Sequence, residues 1–201
     1  MFVITADQRD SRSHGDDVPN ALRRLARGDV VRRFERTAGD EVQGLLTEPD
    51  AAVDVLLGLV RETTWSVGVG VGDVDHPLPR SVRAARGSAF VLAREAIGRA
   101  KSAPGRIAVA GTDAAAALHA ESALWLLAAL FRRRTSAGWQ VTDAMRTAPR
   151  QAEVAARLGV SVQAVSQRLR VAGWQEELRG RDLASHLLAA ADGSVERQTA
   201  P

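Results

Sequence analysis

A chain of 201 residues that is 45% hydrophobic carries enough apolar side chain for a real core, in one large domain or in a medium and a small one. It has no cysteine, which excludes disulfides, thiolate catalysis and cysteine-ligated zinc. The formal net charge is only +3; Lys101 is the single lysine and there is no tyrosine, so a high isoelectric point here overstates the basicity. Placement matters more than the total. Residues 131–174 hold eight arginines against Asp143 and Glu153, a local net of +6, while the part before them is slightly negative. One end is built to meet phosphates and the other is not. The opening MFVITADQRD has no basic leader. No stretch reaches the roughly 18 uninterrupted apolar residues of a membrane span, so a cytoplasmic protein with no membrane partner is expected.

Along the chain, 2–6 reads as a short apolar strand ending at Asp7, and 8–18, with RDSRSHGDD, as a loop. Pro19 opens a helix over 20–26, and Pro49 another to about 63. Between them, 31–37 and 41–47 form two strands around the turn Ala38-Gly39-Asp40. The stretch WSVGVGVG at 65–72 is a strand whose glycines leave one face bare, so another element must pack closely on it. A loop over 73–86 precedes an amphipathic helix over 87–101, a strand at 106–110 and a long apolar helix from 114 to about 134, capped by Asp113. That helix ends in Arg132-Arg133-Arg134, favourable at the negative end of its dipole. Shorter helices follow over 139–145 and 175–190, and 192–201 reads as a frayed tail.

Between those last two helices lies QAEVAARLGVSVQAVSQRLRVAGW, residues 151–174. Val154, Ala155 and Leu158 share one face of a first helix, Gly159 ends it, and Ser161 stands where it would cap a second. In the second helix Val165 and Leu169 point inward, while Gln163, Gln167 and Arg170 lie at i, i+4, i+7 on the opposite face with Ser166 beside them. Gln can bond bidentately to adenine and Arg to guanine. The pattern resembles the helix-turn-helix of DNA-binding regulators, closest to the terminal recognition region of sigma factors. Gln163, Gln167 and Arg170 are expected to read bases, with Ser161 and Ser166 alongside. Arg150 and Arg168 are expected to hold phosphates.

The front half gives the order β-α-β-β-α-β-α-β, whose first six elements form the split arrangement of a ferredoxin-like sheet. There the third strand lies antiparallel beside the first, bringing Asp7 next to Asp40 and Glu41. The motifs ITAD at 4–7, TAGDEVQGLL at 37–46, WSVGVGVGDVD at 65–75 and GSAFVLAR at 87–94 together resemble the SatD family, over about half the chain. More distantly, the motif order is similar to class III nucleotidyl cyclases and diguanylate cyclases. That resemblance implies Asp7 and Asp40 as a metal pair, Glu41 as a third ligand, Mg²⁺ with a nucleotide as cofactor, and Arg94 as a nucleotide contact. Hard carboxylate oxygens suit Mg²⁺. His14, His76, His119 and His186 have no metal-ligand spacing, and no residue is assigned a catalytic role.

The fold class expected is thus α+β: a ferredoxin-like, cyclase-like mixed sheet with helices over 1–111, a helical bridge over 112–136, an all-α helix-turn-helix domain over 137–191, and a tail over 192–201. The function expected is sequence-specific binding of double-stranded DNA by a transcriptional regulator, a homodimer joined through the long apolar helix, with a nucleotide as effector. Two alternatives are a metal-dependent nucleotidyl cyclase-like enzyme using Asp7 and Asp40, and an adaptor whose helix-turn-helix grips RNA polymerase or another protein.

Overall fold

The computed structural model of the protein describes residues 1–9, 15–26, 30–148 and 150–193. His14, the middle of the 8–18 loop and nearly all of the 192–201 tail lie outside the described residues. Five strands, β1 (Phe2–Gln8), β2 (Arg32–Arg36), β3 (Glu41–Leu46), β4 (Trp65–Val71) and β5 (Ile107–Gly111), form one mixed sheet in the order β2-β3-β1-β4-β5. β1 lies antiparallel between β3 and β4, and β5 runs parallel to β4. The helices are α1 (Val18–Leu25), α2 (Pro49–Arg61), α3 (Ser88–Ala100), α4 (Ala114–Arg133), α5 (Ser136–Thr147), α6 (Gln151–Leu158), α7 (Val162–Val171) and α8 (Trp174–Ala191). Proline opens α1 and α2, and the Asp113 carboxylate accepts from the Ala115 and Ala116 amides at the start of α4 (2.9 and 3.0 Å). The 73–86 loop, read from sequence as irregular, contains a short 3₁₀ turn, Val82–Ala84.

β1 and β4 are buried along almost their whole length because helices cover both faces of the sheet. Phe2, Ile4, Val67, Val69 and Val71 face a core closed by α1, α2, α4 and α8. Val3 and Leu45 face the other way, toward α3. Along β4 that second face carries Gly68 and Gly70, over which α3 sits directly. Helix α8 joins two cores. Trp174 at its start belongs to the cluster of α5–α7, whereas Ala184, Leu188 and Ala191 belong to the main core.

Among the described residues α4 is the one helix long and apolar enough to cross a membrane. Its buried residues, including Ala117, Ala120, Leu124 and Leu127, pack into the main core, while Leu118 and Leu126 stay exposed. Two of its polar side chains close the open edge of β5. The buried Glu121 carboxylate accepts from the Val109 amide (2.8 Å) and from Arg99 (3.1 Å), and the Trp125 indole N–H donates to the Ile107 carbonyl (2.8 Å). An unpaired sheet edge invites another strand, and these bonds occupy it. Glu121→Ala strands a buried amide and should cost about 1–3 kcal/mol, read as a lower urea midpoint at unchanged slope.

Candidate nucleic-acid interface

The helix pair at 151–171 is built by local chemistry. Gly159 adopts φ 64°, ψ 36°, the left-handed conformation that ends α6, and the Val160 amide bonds back to the Ala155 carbonyl (3.1 Å). Two residues on, the Ser161 hydroxyl accepts from the Ala164 amide (3.1 Å) and caps α7. Val165 and Leu169 of α7 are buried against Val154, Ala155, Val141, Ala144 and Trp174. Burying that stripe turns the opposite side of α7 outward. Gln163, Gln167 and Arg170 are all exposed, as are Ser161 and Arg150 at the starts of α7 and α6. Ser166 and Arg168 are half-buried. Two apolar side chains flank this ridge, Val162 (48% exposed) and Val171 (77%).

Arg168 leans toward the junction of α4 and α5. There, with Arg133, Thr135, Gly138, Gln167 and Val171, it lines a hollow of about 410 Å³. Arg133 therefore belongs to the same surface as the α7 ridge, which the dipole reading of Arg132-Arg133-Arg134 missed. Its position at the end of an apolar helix gave only a weak signal, because its neighbour on α7 lies far along the chain.

Arg134 corrects that reading further. Its guanidinium is fully buried and donates to the Ala172 carbonyl through Nε (3.0 Å) and Nη2 (2.8 Å). It also pairs with the buried Glu177 carboxylate (2.7 Å) and lies over the Trp139 ring, 4.5 Å from its centroid. Arg146 and Arg181 pair with the same carboxylate, and Arg181 reaches on to Asp54 of α2. Burial raises the Glu177 pKa, but the arginines outweigh it and hold the carboxyl below its ordinary value. Asp143 accepts from both terminal guanidinium nitrogens of Arg61 (2.8 and 2.7 Å). The local charge counted along the sequence is thus partly internal. The exposed share rests on Arg132, Arg133, Arg150, Arg157 and Arg170 with half-buried Arg168, none with a carboxylate partner among the described residues. Trp139, between Arg61 (4.0 Å) and Arg134 and edge-on to Phe131, is a packing residue.

In the front half, Asp7 lies directly opposite Glu41 in the β1–β3 register, and the Gln8 amide bonds to the Asp40 carbonyl (3.2 Å). The topology brings these three residues to one edge, as the motif order suggests. Asp7 there pairs with Lys101 (2.8 Å), and Glu41 accepts from the Thr37 hydroxyl (2.6 Å). Among the described residues no group of three or more acidic or histidine side chains is gathered as a metal site. Arg94 is exposed on α3 and lines a groove with Arg83 and Arg86 that does not include Asp7, Asp40 or Glu41 themselves.

Neither protein-family models, nor curated proteins, nor solved structures give a significant match to the chain. The surface around α7 gathers two amides, a guanidinium at helical spacing and a flanking set of arginines on a rigid support, a combination suited to polyanions with ordered polar edges.

Proposed function

We propose that the protein binds double-stranded DNA in a sequence-specific manner through α7, as a transcriptional regulator, with Gln163, Gln167 and Arg170 on base edges. Arg150, Arg168 and Arg133 hold phosphates on either side. One observation carries this: the ridge is exposed on a helix whose other face is fully packed, and its neighbouring arginines lack acidic partners among the described residues. The strand order β2-β3-β1-β4 supports a ferredoxin-like, cyclase-like reading of the front half, with β5 added at its edge. A homodimer joined through α4 draws support from exposed Leu118 and Leu126. Such a dimer would read two half-sites about one helical turn apart.

Fluorescence anisotropy with a selected duplex pool at several salt concentrations tests the proposal. Arg170→Ala should weaken the selected site by about 1–3 kcal/mol and relax preference at one position. Arg150→Ala should weaken all duplexes alike and reduce the salt slope by about one. Protein that ignores DNA even at low salt would refute it.

A second reading, docking on another protein, is favoured by the apolar Val162 and Val171 beside the ridge. A Val162 contact to a thymine methyl accounts for one of them within the DNA reading. The metal-dependent enzyme has less support, because Lys101 already engages the Asp7 carboxylate.

A further inference from the structure

On the α3 face of the sheet, away from α7, lies a second concentration of arginine. Strand β3 there carries Gln43, opposite Thr5 of β1; both are buried, and the Gln43 amide donates to the Thr5 hydroxyl (2.8 Å). Beside this floor run the 3₁₀ turn and the start of α3. Together Thr37, Gln43, Arg83, Arg86, Phe90 and Arg94 bound a groove of about 550 Å³. That volume falls in the range of small-molecule sites, roughly 300–1,000 Å³.

Among the described residues no carboxylate is ion-paired with the arginines of this groove. The Arg83 and Arg94 guanidiniums have no hydrogen-bond or ion-pair partner among the described residues. Arg86 donates only to the carbonyls of Ala85 (2.9 Å) and Arg83 (3.3 Å). The acids bonded to the surrounding residues are held by hydroxyls: Glu41 by Thr37 (2.6 Å) and Glu35 by Ser81 (2.5 Å). Elsewhere in the molecule exposed arginines such as Arg24, Arg36 and Arg61 have found carboxylates. Arg83, Arg86 and Arg94 are distinguished by converging, without a carboxylate partner, on one concave surface with an aromatic wall, and that arrangement suits an anion from outside. The duplex surface proposed for α7 does not supply it, since α7 packs on α5, α6 and α8, and α8 lies on the opposite face of the sheet.

We propose that the groove binds a small organic anion carrying at least two negative charges. Its phosphate or carboxylate groups seat on Arg83, Arg86 and Arg94, and its apolar portion lies against Phe90. This does not rest on the DNA reading.

Calorimetric titration of the full chain with phenyl phosphate and with phthalate separates the two sources of charge, since each carries a ring and two negative charges. One or both should bind, and whichever binds names the group. Arg83→Gln and Arg94→Gln, both at exposed positions, should each weaken binding about tenfold, while Arg170→Ala leaves it unchanged. Three results would overturn the proposal: no heat from either probe at low-millimolar concentration, binding indifferent to both groove substitutions, or equal loss in Arg170→Ala.

Discussion

Glu177→Ala should cost about 3–5 kcal/mol, a large share of the roughly 5–15 kcal/mol by which a folded domain is stable. The carboxylate is fully buried and answers three arginines, of which Arg134 is itself fully buried. Removing it leaves a guanidinium in the interior with only the Ala172 carbonyl and the Thr142 hydroxyl as hydrogen-bond acceptors, over the Trp139 ring. Glu177→Gln keeps an acceptor but not the charge, and should lie between the two. Urea denaturation followed by circular dichroism measures this, and an unchanged midpoint for the alanine variant would show the network to be dispensable. Acid gives an independent check. Because the folded-state pKa is depressed, the stabilisation is complete above the ordinary value of 4.5 and is lost as pH falls through the lower folded-state value. Wild-type stability should therefore drop more steeply than that of Glu177→Gln as the solution is acidified below about pH 4.5. If α7 binds duplex DNA as proposed, the same substitution should weaken that binding, since Arg134 holds the carbonyl that follows α7.

Gly70→Val should be comparably damaging for the opposite reason, too much matter instead of too little. A Cβ at Gly70 would stand 2.8 Å from the Ala93 Cα, and one at Gly68 would stand 2.7 Å from the Ile97 Cα. Both obstacles are the backbone of α3, which cannot rotate out of the way as a side chain could. Overpacking of this kind costs about 1–3 kcal/mol and sometimes more, and a branched side chain at the centre of the sheet belongs at the upper end. Gly98→Ala is the control. It lies on the exposed side of the same helix with nothing within 4 Å of the added methyl, and should stabilise by about 0.5–1 kcal/mol. Thermal melts of the two variants beside the wild type separate the effects. A Gly70→Val melt at the wild-type temperature would mean that α3 does not sit on β4 as described.

What proved legible from sequence shares one property: its cause lies within a few residues of its effect. Gly159 and Ser161 end one helix and cap the next through bonds to Ala155 and Ala164. The Val165–Leu169 stripe implies that Gln163, Gln167 and Arg170 turn outward, because helical geometry alone couples the two faces. The bare face of WSVGVGVG announced a close neighbour, though not which helix it would be. The motif order brought Asp7 beside Glu41 but gave no hint that Lys101 would reach the same carboxylate from 94 residues away.

By itself, then, the sequence determined the elements, their caps and the outward ridge of α7, since periodicity and capping act over one or two turns. Only the tertiary structure decided which arginines remain available to a partner. Arg132, Arg133 and Arg134 are chemically identical neighbours, yet the packing of α8 on α4 brings Glu177 to Arg134 across 43 residues and leaves Arg133 facing the groove beside Arg168. A guanidinium's role is set by the charge that reaches it in space, and that is a property of the packed chain.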